Sequence, residues 1–320
     1  MMRYLLIVLI LLSGVYLNSE SFAQSNGCPE KPFTYEMGLK LETIGEIKKS
    51  TGSYELIFWL SLTSDEINFL ECPPPKEWDF TNGYVINTYG TSTTEHFHKT
   101  QIHGIFFEDN DYKDYPFENM VLTVHIEPFF PLTAEDIVFE INEENSGINF
   151  STITVPGWEI DVPTFETRID SYPWADFPHY KATFPIDTEP FSIFVKKLLP
   201  PLVLASFGFA TLFMSSTTLQ NRITIVGTGM TASIFFHAVF LLGELPPLGY
   251  LTLADKIMIS IYSVFGNALL ALLLHQRHMN TIVGIEHKEY ELKEQLATDR
   301  KMMIVTPVVA VVIFFVLYFV

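Results

Sequence analysis

The last two-fifths of this 320-residue chain carries four apolar runs, at about 195–214, 223–242, 257–274 and 302–320. Each is close to the ~20 residues that an α-helix needs to cross ~30 Å of hydrocarbon. Inside a bilayer every backbone N–H and C=O must be bonded within its own segment, so runs of this kind are read as four membrane helices. Whatever precedes them must fold outside the hydrocarbon.

What precedes them has the opposite character. Between Gln24 and Val195 there are 29 Asp and Glu against 9 Lys and Arg. That balance argues against nucleic acid as a partner, which needs a basic face, and favours a domain that concentrates cations. Short alternating runs such as 54–60, 121–126, 137–141 and 180–186 are punctuated by turn residues, the pattern of a β-sandwich. Lys48 to Gly52 reads as the hairpin turn between the first two strands. The fold class expected is a β + α membrane protein, an extracytoplasmic sandwich at 24–193 followed by a four-helix transmembrane bundle at 194–320. Residues 1–23 read as a secretory signal: Arg3, an apolar core from Leu5 to Leu12, and Ser21-Phe22-Ala23 as a small-residue cleavage site. The apolar stretch is too short for an anchor. Cys28 and Cys72 could pair in an oxidising compartment or remain two thiols.

A cleaved signal and four spans leave the N-terminal domain and the C-terminus on the outer side of the cell (inner) membrane. Arg222, Arg277, Lys288, Lys293, Arg300 and Lys301 then fall in cytoplasmic loops, as the positive-inside rule requires. Lys196 and Lys197 fall on the wrong side and call for a local role or interfacial snorkelling. Residues 286–301 read as a charged helix in the third loop. No nucleophile elbow, phosphate loop, zincin motif or dinucleotide fingerprint is present, so no enzyme activity and no cofactor are expected. Asp109, Asp111 and Asp114 offer oxygens to a divalent modulator, without the glycine-centred twelve-residue loop of an EF-hand. His96 and His98, two apart, are too few to hold a metal alone.

Several motifs, in order, carry a resemblance. Tyr115-Pro116-Phe117-Glu118, Gly157-Trp158-Glu159-Ile160, Pro200-Pro201, Arg222 opening the second span, and Leu245-Pro246 with Tyr250-Leu251-Thr252 before the third resemble the pentameric ligand-gated ion channels. This is the Cys-loop receptor superfamily, here in its bacterial form: the positions of the loop cysteines hold Glu108 and Leu122. The resemblance implies a homopentamer in a lipid bilayer that passes permeant ions passively when a small-molecule agonist binds between extracellular domains. Ile126-Glu127-Pro128-Phe129 and Tyr180 are most similar to amine-gated members, which implies an aromatic agonist site at Glu127, Phe129, Tyr172, Trp174, Phe177 and Tyr180. Aromatic faces and a carboxylate suit an ammonium group. The coupling interface is implied at Pro116, Glu118, Lys196, Lys197, Pro246 and Tyr250, with Lys196 or Lys197 paired to Glu118 or Asp114.

The second span can also be read from its own residues. Thr224, Thr228, Thr231, Phe235, Ala238 and Leu242 recur at spacings of four and three and share one helical face. A hydroxyl stripe below a phenylalanine ring can stand in for ion hydration and close by dewetting; alternatively the threonines bond within their own helix or across helices. Arg222 to Pro246 is one residue longer than in relatives, so a kink or bulge is expected, with Gly227 and Gly229 as its place. Asn221 and Thr231 replace the usual selectivity and gate residues, while Glu244 at the outer mouth leans towards cations. A non-conducting membrane-anchored sensor of the same fold is the alternative.

Overall fold

The computed structural model describes residues 28–320, apart from 151, 152, 154, 156, 215–217, 280–286 and 320. The expected signal at 1–23 lies outside the described residues. Eleven strands among them form two sheets. The first comprises β1 (Phe33–Lys48), β2 (Ser53–Thr63), β4 (Gly83–Thr93), β5 (Phe97–Phe107), β7 (Ile137–Ile141) and β8 (Gly147–Ile148), in the order β4-β5-β2-β1-β7 with β8 also against β1. The second comprises β3 (Trp78–Asp79), β6 (Asn119–Pro128), β9 (Trp158–Ile160), β10 (Thr164–Ser171) and β11 (Asp176–Thr188), in the order β10-β11-β6-β3 with β9 against β11.

Period-two patterning decides which faces meet. Tyr54, Leu56, Phe58, Leu60 and Leu62 of β2 are buried, as are Met120, Leu122, Val124 and Ile126 of β6 and Tyr180, Ala182, Phe184 and Ile186 of β11. These rows form the core between the sheets. A polar link crosses it: the Tyr54 hydroxyl donates to the Thr123 carbonyl and accepts from the Thr123 N–H, both at 2.8 Å. Gly52, at φ 64°, closes the β1–β2 turn in the left-handed region where glycine carries no steric penalty. The open question about the cysteines is answered by a Cys28–Cys72 disulfide, which ties the start of the described chain to the loop before β3.

Four helices follow, each with a segment long and apolar enough to cross a membrane: α1 (Pro190–Phe213), α2 (Leu219–Glu244), α3 (Leu253–Met279) and α4 (His287–Tyr318). In α3 the buried residues Ala254, Met258, Ile261, Phe265, Ala268 and Leu272 recur at four and three, so one stripe faces its neighbours. The Phe265 ring fills a slot between α1 and α2, where a Cβ on Gly208 would lie 2.6 Å from it and one on Gly229 2.7 Å.

One local expectation is met, one changes, and one feature is new. The charged helix read at 286–301 is present from His287 and runs on without a break into the fourth span as α4. The irregularity of α2 is not at Gly227 or Gly229: the helix is regular from Leu219 to Phe236 and widens into a π turn at His237–Leu241. Those glycines lie in the regular part, where Gly229 makes room for Phe265. A second π turn, Phe194–Leu198, precedes Pro200 and Pro201, whose missing N–H groups leave carbonyls one turn back without their α-helical donors.

Candidate functional site

The implied agonist residues divide into three places. Tyr172 and Trp174 stack on each other at 5.3 Å between ring centroids and 18° between planes, and Phe177 meets Tyr172 edge-on at 5.7 Å. The Tyr172 N–H donates to the Ala175 carbonyl and closes the β10–β11 turn that presents them. Trp174 is the most exposed of the six, at 70%. Below it the Tyr172 hydroxyl donates to Glu127 Oε1 at 3.2 Å, so a carboxylate that is only 4% exposed forms the floor of the aromatic face. Phe129 stands elsewhere: it lines a cavity of about 750 Å³ beside Trp78, Tyr84 and Ile102, which none of the other five reaches. Tyr180 is corrected as well. Its ring is fully buried in the core, stacked on Phe165 at 6.4 Å, because it shares the inward-facing row of β11.

Around Glu127 lies a constellation that the sequence did not announce. β10 pairs with β11 so that Arg168 opposes His179, and β11 pairs with β6 so that Lys181 opposes His125. His179 Nδ1 then sits 2.8 Å from Glu127 Oε1 and 3.0 Å from Asp170 Oδ2, and its Nε2 sits 3.1 Å from His125 Nδ1. Burial, with His179 alongside, pushes His125 down to about 4. Arg168 grips Asp170 through two bonds and holds its carboxyl below the usual range. The only signal in sequence was His125 and Glu127 two apart on one strand. Register between three strands brings in the rest.

The expected divalent residues Asp109, Asp111 and Asp114 do not converge on a cation position; Asp111 is engaged by the Lys113 ammonium at 2.9 Å. His96 Nδ1 faces the Ser64 and Ile67 carbonyls, and His98 Nδ1 faces the Thr93 hydroxyl at 2.9 Å.

At the end of the sandwich nearest the helices, Glu118 pairs with Lys49 of the β1–β2 turn. The ammonium also lies 5.2 Å from the Tyr115 ring centre and 4.9 Å from that of Trp158. The expected pairing of Lys196 or Lys197 with Glu118 or Asp114 is therefore corrected: Lys49 takes Glu118 Oε1, and Glu244 holds Lys197. Lys197 instead donates to the Tyr115 hydroxyl at 2.8 Å and pairs with Glu244 at the end of α2, while Lys196 is exposed. Burial, then the Glu244 and Glu118 carboxylates, hold the Tyr115 phenol protonated far above its ordinary range. It donates to Glu244 at 3.2 Å.

The Tyr250 hydroxyl accepts from the Tyr112 N–H at 3.0 Å, Pro116 is buried, and Pro246 lines a cavity with Lys49, Glu108 and Tyr112. The first N–H groups of α3, from Leu253 and Ala254, donate to the carbonyls of Lys113 and Tyr115, both at 2.8 Å. Donors that a helix leaves unpaired are thus satisfied by the sandwich backbone. Thr252 and Asp255 complete the cap reciprocally: each side chain accepts from the other's N–H, at 3.2 and 2.8 Å. Asp255 also meets His237 of the π turn, at 2.8 Å.

On α2, Thr224, Thr228, Thr231, Phe235, Ala238 and Leu242 are all exposed, whereas Arg222, Val226, Ser233 and Leu241 are buried against the rest of the chain. The first four border an open groove of about 740 Å³ with Ile223, Gly227 and Ala232. The Thr224 hydroxyl donates back to the Gln220 carbonyl at 3.0 Å, as the within-helix alternative required for that residue. At the same end of the helix, fully buried Arg222 forks onto Asp299 of α4 at 2.9 and 3.2 Å.

Compared with known proteins, the chain matches no protein-family model and no curated protein.

Proposed function

We propose that the chain is one subunit of a homopentameric ligand-gated ion channel, with α2 lining the pore and the sandwich outside the cytoplasm. The observation that carries the reading is the two-sidedness of α2. Arg222, Val226, Ser233 and Leu241 turn into its own bundle, while three threonines in a row face outward together with Phe235. Hydroxyls gain nothing from lipid tails, whereas a ring of them around an axis faces water and ions. Identical subunits meeting through two different patches close into such a ring when the rotation permits. The motif order supports five copies. The acidic sandwich favours cations, although Glu244 is already paired with Lys197, and the stacked Tyr172 and Trp174 above Glu127 favour an ammonium agonist.

The test is current through purified protein in planar bilayers under a panel of primary amines. Cysteines at 224, 228 and 231 should be modified from the aqueous path and block that current, while cysteines at 226 and 233 should stay unreactive. Reactivity at 226 and 233 with none at 228 would remove α2's threonine face from the pore. A panel that never evokes current would favour a non-conducting sensor of the same fold.

A further inference from the structure

Glu127, Asp170 and His179 are the one group of metal-ligating side chains among the described residues whose ligand atoms all lie within 4.8 Å of one another. We propose that they form a binding site for a zinc-class transition-metal ion.

The chemistry follows from His179 Nδ1. It has one carboxylate oxygen at 2.8 Å and another at 3.0 Å. A single proton on that nitrogen must be shared between two anions. A divalent cation in the same place takes the nitrogen lone pair and an oxygen from each carboxylate at once. Zinc bonds of about 2.0–2.2 Å require ligand atoms roughly 3.3–3.5 Å apart, so each carboxylate oxygen backs away from the His179 nitrogen by about half an ångström. Imidazole with carboxylate suits zinc and its neighbours, whereas calcium wants six or more oxygens, which this cluster does not supply.

The surroundings are those of a ligated histidine. With Nδ1 on the metal, the Nε2–H of His179 donates to His125 Nδ1 at 3.1 Å, which fixes ring orientation and tautomer. Arg168 holds Asp170 by Nε on Oδ1 at 2.6 Å and by Nη2 on Oδ2 at 3.0 Å, so the ion takes the remaining lone pair of Oδ2. His179 and Glu127 are buried, and the Asp170 side chain, about a quarter exposed, opens the site to solvent. A fourth position falls to water or to the Tyr172 hydroxyl, already 3.2 Å from Glu127 Oε1. Because Glu127 is also the floor of the aromatic face, the metal displaces an ammonium ligand. That consequence rests on the channel reading; metal binding itself does not.

The experiment uses the full chain in detergent, stripped with a chelator, titrated with Zn2+ by calorimetry and with Co2+ by visible absorption. One ion per chain is expected, with the d–d bands of a four-coordinate nitrogen and oxygen site. Asp170→Asn and His179→Gln should each weaken Zn2+ binding at least tenfold. Asp170 is partly exposed, so its variant folds, as circular dichroism will verify. Wild-type affinity and stoichiometry in Asp170→Asn, or no uptake by the wild type, overturns the proposal. Zn2+ binding without amine-evoked current leaves the site standing and removes the channel reading; current without Zn2+ binding does the reverse.

Discussion

Lys49 and Glu118 pair in a place where neither side chain has much water, with 12% and 0% of their surfaces exposed. Such a pair contributes little net stability, yet removing one partner strands a buried charge at a cost of about 3–5 kcal/mol. Lys49→Met should therefore lower the denaturant midpoint strongly, and Lys49→Met with Glu118→Leu should recover most of the loss. A double variant no better than the single would mean that the lysine acts through its ring contacts alone. Glu118 was legible in the sequence as a junction residue because it sits in a motif. Its partner was not, since Lys49 is 69 positions away and looks like any lysine in a hairpin turn. The same holds for Asp170 and His179, which strand register brings to Glu127. Tyr180 misled for the opposite reason: its motif resemblance outweighed its place in an inward-facing alternation.

Among elements, the helices were the easiest to find, because hydropathy and length alone declare them. Their irregularities were harder. The extra residue in α2 was visible as a spacing, but its position follows from side chains that pin the turn, His237 on Asp255 and on Tyr262 at 2.9 Å. Deleting exposed Val239 from the π turn should restore a regular helix and leave cysteine accessibility at 224–235 unchanged. Deleting Ala232 from the regular part should rotate everything beyond it and abolish assembly, read by size-exclusion chromatography. Packing makes a second demand. Gly229→Ala places a methyl 2.7 Å from the Phe265 ring, an overpacking worth about 1–3 kcal/mol. Thermal melts should show that loss, and Phe265→Leu in the same chain should return part of it.

At the scale of the whole molecule, the sandwich carries phenols that ionise only when it opens. Burial pushes Tyr35 and Tyr54 up to about 12. A raised folded value means full stability below about pH 10, the unfolded value, and progressive loss as pH climbs through 12. Tyrosinate absorbance and circular dichroism should change together in that window; absorbance rising well before structure is lost would show those phenols to be wet. Acid-side loss of the sandwich has no such origin in these two groups. The two halves of the chain are also joined in an unusual currency: the N–H groups of Leu253 and Ala254 reach carbonyls of the Tyr115 loop, not its side chains. A seam made of main chain is blind to amino-acid identity. Sequence drift can rewrite every side chain on that loop and leave those two bonds in place, while a one-residue insertion there slips both out of register at once.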